Sequence, residues 1–168
     1  LAAFLSFRTT APVIRKKNHF TWGAIKEVGT LFIGIFITMQ PARAILKGMG
    51  AGLGITEPYQ MFWTTGVLSS FLDNTPTYLV FLTTAGAIGF SDGIATTLGM
   101  VPVKVLTAIS CGAVFMGANT YIGNAPNFMV KAIADENGIH MPSFFRYIGW
   151  SLMVLVPVFL LDTFIFFR

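Results

Sequence analysis

An all-α integral membrane protein is the fold class that these 168 residues predict, on three observations. Hydrophobic residues make up 54% of the chain and charged residues only 11%, whereas a soluble domain carries about a quarter charged. Mean hydropathy is +0.71, a value set largely by long apolar runs rich in Leu, Ile, Val and Phe. The charges gather in short stretches between those runs, the pattern of helices in lipid joined by polar loops.

Taken in order, residues 1–7 read as the last turns of a helix that begins upstream, so the chain is expected to be the C-terminal part of something larger. A basic loop with Arg8, Arg15, Lys16 and Lys17 follows and is expected to face the cytoplasm. Residues 26–46 form a span that Pro41 kinks or ends, and the glycines between 47 and 58 mark a connecting loop. Residues 59–89 form two apolar segments of about 14–15 residues, each rising only ~21 Å, too short for a ~30 Å hydrocarbon core. Two half-length helices meeting at a polar tip predict a re-entrant hairpin. Residues 91–102 read as a loop. Residues 103–135 then form a second apolar helix, interrupted by polar and Gly residues between 117 and 127. A polar loop at 135–142 leads to a final span at 146–167, with Tyr147 and Trp150 suited to one interface. With Arg8–Lys17 cytoplasmic, Lys131 and Arg146 fall on the same side; Arg43 and Lys47 are the exceptions.

Several function classes are excluded early. The net charge of +4 is spread over short loops, so no nucleic-acid partner is expected. Cys111 is the only cysteine and reads as a small packing residue. His19 and His140 lie in polar loops, with no Cys/His ligand cluster and no signal peptide, so no resident cofactor is expected.

The chemistry concentrates at the two interruptions. Asp73 is the one charged residue between Pro58 and Ser91, and a carboxylate at bilayer depth costs roughly 2.5–3.5 kcal/mol unless a partner, ion or proton accompanies it. It sits in Leu72-Asp73-Asn74-Thr75-Pro76, where the proline breaks the helix. Irregular backbone at membrane depth survives only where it is buried in protein or lines a cavity, and transporters use such freed groups as ligands. Asp73 is therefore expected to hold H⁺ and Na⁺ in turn, with Asn74 as a second Na⁺ ligand. Thr75 offers another neutral oxygen, and Ser69 and Ser70 sit one turn earlier. Asn119, Thr120, Gly123 and Asn124 are expected to close the site from the other break. The bland alternative is that Asp73 pairs with a basic residue outside these residues and serves assembly. Asp162 lies near the end of its span and reads as an interfacial acid, with Phe164, Phe166 and Phe167 as packing or lipid-facing residues.

These motifs resemble those of the ion transporter superfamily, which includes the NhaD-type Na⁺/H⁺ antiporters, arsenite permeases and citrate and dicarboxylate carriers. Leu72-Asp73-Asn74-Thr75-Pro76 is similar to its hairpin tip. Gly117-Ala118-Asn119-Thr120-Tyr121-Ile122-Gly123-Asn124-Ala125-Pro126-Asn127 is similar to the unwound stretch of the discontinuous helix after it. The resemblance covers roughly residues 26–168. It implies the second half of an inverted-repeat transporter, a missing N-terminal repeat that completes the site, and a homodimer. In the dicarboxylate carriers the tip reads Ser-Asn-Thr; here Asp73 stands where that serine would be. An acid there is awkward for a dianion and useful for exchanging H⁺ with Na⁺.

Na⁺/H⁺ antiport by alternating access is accordingly the leading expectation, in a multi-pass protein of a bacterial inner membrane. The alternative is a Na⁺- or H⁺-coupled carrier of citrate, a dicarboxylate or another anion. An enzyme is not expected: an intramembrane aspartyl protease needs a second mid-membrane aspartate. A structural subunit with no ion path is the remaining reading.

Overall fold

The structure is a computed structural model that describes residues 1–17 and 54–168, together with 22–23, 25–26, 29–30, 33–34, 37–38, 40–41, 44–45 and 52. About half of the expected span at 26–46 and of the loop after it therefore lies outside the described residues.

Two short helices open the chain, α1 (Ala2–Thr9) and α2 (Pro12–Lys17). The basic stretch is thus not all loop, because Pro12 supplies a first helical residue whose missing N–H costs nothing there. Arg15 folds back over α1: its guanidinium lies 4.2 Å from the Phe7 ring centroid and donates to the Ser6 carbonyl at 3.0 Å and to that of Phe7. The last carbonyls of α1 gain a cationic partner in this way.

The centre of the fold is a helical hairpin, α3 (Pro58–Ser69) and α4 (Asn74–Ile88). α3 starts with Pro58 in its first turn and a capping box between Glu57 and Gln60, whose Oε1 accepts from the Glu57 N–H at 3.1 Å. Pro76 belongs to the first turn of α4, so this proline marks a helix start as well as a break. α4 ends at Gly89, whose left-handed backbone (φ 79°) favours glycine. At 12 and 15 residues the helices rise only ~18 and ~22 Å.

The expected loop at 91–102 contains a small antiparallel hairpin instead, β1 (Ile94–Thr96) and β2 (Gly99–Val101), with Ile94 opposite Val101 and Thr96 opposite Gly99. Too short for a periodic signal, it packs directly on α4. A Cβ on Gly99 (φ 133°) would come within 2.4 Å of the Gly86 carbonyl.

α5 (Val103–Phe115) runs into a 3₁₀ turn at Met116–Asn119, then extended backbone at Thr120, and α6 (Ala125–Glu136). Helical structure thus stops within the polar stretch singled out by sequence. α5 packs chiefly on α3, and the two approach closely because both carry glycine at the crossing. A Cβ on Gly112 would meet the Phe62 carbonyl at 2.4 Å.

α7 (Phe144–Phe166) has 23 residues, a rise of ~34 Å, and is the one described helix long and apolar enough to cross a membrane. Only its Phe159 is buried, while Met153, Val154, Leu161, Phe164 and Ile165 are exposed. α7 is held at one end by aromatic packing. Phe167 is 3% exposed and stacks on Phe62 at 4.9 Å between centroids, and the Trp63 indole N–H donates to Thr163 Oγ1 at 3.0 Å. Phe167 is therefore a core residue, whereas Phe164 and Phe166 remain exposed.

Gly112→Ala should push α3 from α5 and lower stability by about 1–3 kcal/mol, read as a reduced melting midpoint in detergent. Gly149→Ala is the control, since a Cβ there meets nothing within 4 Å.

Candidate functional site

Four helix ends converge where the hairpin tip meets the break after α5. α3 and the 3₁₀ turn arrive with their C-termini; α4 and α6 leave from their N-termini. Glycine permits the convergence: a Cβ on Gly123 would lie 2.6 Å from the Gly117 carbonyl, 2.8 Å from that of Ser70 and 2.9 Å from that of Ser69. A Cβ on Gly117 would lie 2.3 Å from the Asn74 amide.

Side chains from each break satisfy the backbone of the other. Ser69 Oγ donates to the Ala113 carbonyl at 2.5 Å. Its neighbour Ser70 is a hub: Oγ lies 3.0 Å from the Gly66 carbonyl and 2.9 Å from that of Met116, and accepts from Asn119 Nδ2 at 3.0 Å. Thr120 Oγ1 donates to the Ser70 carbonyl and accepts from the Gly123 N–H at 2.9 Å. Asn127 Nδ2 donates to the Gly117 and Thr120 carbonyls, each at 3.1 Å. Asn74 is best satisfied with Nδ2 turned inward, 2.8 Å from the Ala113 carbonyl and 3.2 Å from that of Gly123; its Oδ1 then accepts from Asn124 Nδ2 at 3.3 Å. α7 closes the rear, with Ser151 Oγ donating to the Asn119 carbonyl at 2.7 Å and the Tyr147 hydroxyl to that of Ala118 at 3.1 Å.

Of the residues singled out by sequence, Ser69, Asn74, Asn119, Thr120, Gly123 and Asn124 come together in this interlock. Asp73 and Thr75 do not join it. Asp73 caps α4 by position only: its carbonyl accepts from the Thr77 N–H at 3.3 Å and the Thr77 hydroxyl at 3.0 Å, while its half-buried carboxylate has no hydrogen-bond partner among the described residues. Thr75 is exposed. In the expected Na⁺ pair of Asp73 and Asn74, the Asn74 oxygen is engaged by Asn124. Among the described residues two buried side-chain atoms have no partner, Asn119 Oδ1 and Thr65 Oγ1; Asn119 is 5% exposed and Thr65 fully buried. A buried, unsatisfied oxygen costs about 1–3 kcal/mol, so both are candidate ligand atoms.

Sequence reasoning missed Thr65, Ser151 and Tyr147, and offered Ser70 only as a neighbouring hydroxyl. Thr65 and Ser69 stand four residues apart on α3, on one helical face, which was the available signal. Nothing local marks Ser151, since its partner is 32 residues away.

Ser70→Ala should strand the Asn119 amide and lower stability by about 1–3 kcal/mol in a detergent melt. Thr75→Ala, at an exposed position, should leave the midpoint unchanged.

Comparison with known families agrees with the membrane-transport class. The profile of a family described as "putative citrate transport" matches residues 1–167. No curated protein and no solved structure matches the chain. The match is to carriers and not to an enzyme class, and it supports the citrate alternative above the antiporter that led the sequence reading. With nearly every residue covered, this chain belongs to the citrate transport family of integral membrane proteins.

Proposed function

We propose that the chain forms half of a cation-coupled secondary carrier for citrate or a similar carboxylate. The observation that carries this reading is the meeting of four helix ends around one polar interlock. Helix N-termini favour anions and C-termini favour cations, each bearing roughly half an elementary charge. α4 and α6 thus offer their positive ends to a substrate carboxylate, while α3 and the 3₁₀ turn offer negative ends to a cation. In this reading the α3–α4 hairpin re-enters the bilayer and α5–α6 is one crossing helix broken at depth. Short helix lengths and mutual satisfaction of backbone groups support both assignments. The hydrogen-bonded interlock also supports hairpin and broken helix moving as one unit in alternating access.

Asp73 supplies the coupling. Two unit charges 4 Å apart repel by about 4 kcal/mol at an effective dielectric of 20, so an ionised Asp73 opposes each substrate carboxylate brought near it. A proton or Na⁺ taken first removes that opposition, and neither ligand then moves efficiently alone. Asn119 Oδ1 and Thr65 Oγ1 are neutral oxygens suited to completing the cation's shell. The first inverted repeat would contribute the rest.

A second reading, Na⁺/H⁺ antiport, is favoured by the unpaired Asp73 carboxylate alone. One experiment separates the two. The full protein is placed in proteoliposomes, and labelled citrate uptake is followed under an imposed Na⁺ or pH gradient. In a second arm an internal pH dye reports on Na⁺ addition without citrate. Gradient-driven citrate uptake is expected, and Asp73→Asn should abolish its dependence on the gradient while retaining slow exchange. Proton movement driven by Na⁺, with no citrate uptake, would replace the carrier by the antiporter.

A further inference from the structure

Away from the interlock, α5 and α7 enclose a cavity of about 380 Å³ whose lining includes Lys104, Thr107, Cys111, Phe115, Asp162 and Phe166. That volume lies at the low end of small-ligand sites, about 300–1,000 Å³. Its chemistry is divided: an acid and a base stand in a wall that is otherwise mainly apolar. Lys104 and Asp162 do not pair with each other, and neither has an ion-pair partner among the described residues. Asp162 lies four residues before Phe166, about 6 Å from the end of a helix that exceeds the ~30 Å hydrocarbon core only slightly. The cavity therefore sits near the boundary between headgroups and acyl chains.

We propose that this cavity holds a phospholipid whose headgroup carries a primary ammonium. The ammonium donates to the Asp162 carboxylate, the phosphodiester accepts from the Lys104 ammonium, and the first acyl segment runs inward along α5 toward Phe115. Charge complementarity selects this occupant. A headgroup without an ammonium leaves the Asp162 carboxylate with no cationic donor, and a trimethylated ammonium has no N–H to donate. The apolar, exposed surface of α7 continues from the cavity and extends the contact along the chain.

Cys111 lines the same cavity and serves as a reporter. The full protein is reconstituted in nanodiscs of phosphatidylcholine containing phosphatidylethanolamine, phosphatidylglycerol or neither. Alkylation of Cys111 by a neutral maleimide is then followed by mass spectrometry of its peptide. Alkylation is expected to be roughly tenfold slower with phosphatidylethanolamine, the effect of one charge-assisted hydrogen bond. Asp162→Asn should remove that difference and Asp162→Glu should keep it. Equal rates in the three lipids, in the parent protein alone, would overturn the proposal, as would stronger protection by phosphatidylglycerol. Protection that follows protein density in every lipid would assign the cavity to a second copy of the chain instead.

Discussion

Wherever a helix stops inside an apolar protein, its last carbonyls and the next helix's first amides need partners that lipid cannot provide. The described residues include two such stops, at the α3–α4 tip and after α5, and each serves the other. The Ser70 hydroxyl joins the 3₁₀ turn through Met116 and Asn119, and the Thr120 hydroxyl returns to the Ser70 carbonyl. The exchange works only at short range, which is why Gly117 and Gly123 sit where any Cβ would strike backbone or amide. From that point outward the packing is constrained: α3 must lie against α5, and Gly112 lets it do so. α7 is tied to the same centre through Ser151 and Tyr147, and to the hairpin through Trp63 and Phe167.

The interlock also decides which groups are free for chemistry. Most hydroxyls and amides near the tip are occupied in holding backbone, so their presence in sequence overstates the number of available ligands. Left over among the described residues are the Asp73 carboxylate and the exposed Thr75 hydroxyl, with the buried Asn119 Oδ1 and Thr65 Oγ1. In the proposed carrier these atoms would meet the cation, while the N-termini of α4 and α6 meet a carboxylate. In that reading a hydrogen-bonded scaffold holds both, so a charge change at Asp73 would act on the substrate through space.

Elsewhere the molecule is shaped by its surroundings more than by its own core. α7 buries only Phe159 within its length, and its exposed aliphatic and aromatic side chains form a surface unsuited to water. Lipid, or chain outside these residues, is the natural cover. The cavity holding Lys104 and Asp162 interrupts that apolar surface near the end of α7.

By itself the sequence determined the membrane-transport class of the protein and marked the polar stretches in which described helices stop. The final helix lies within two residues of its expected bounds, and both polar interruptions fall where Pro76, Gly117 and Asn124 indicated. Such features are legible because hydropathy, helix length and proline act locally along the chain. Tertiary structure alone decided which polar groups are spent and which are spare. Ser69 finds its acceptor 44 residues away and Ser151 finds its own 32 away, so neither role leaves a local trace. The β-hairpin at 94–101 escaped for a similar reason, since three-residue strands carry too little periodicity and are held by contact with α4. Asp73 shows the division most clearly: its sequence marks it as exceptional, but only the fold shows that Asn74 turns inward and leaves the Asp73 carboxylate unengaged among the described residues.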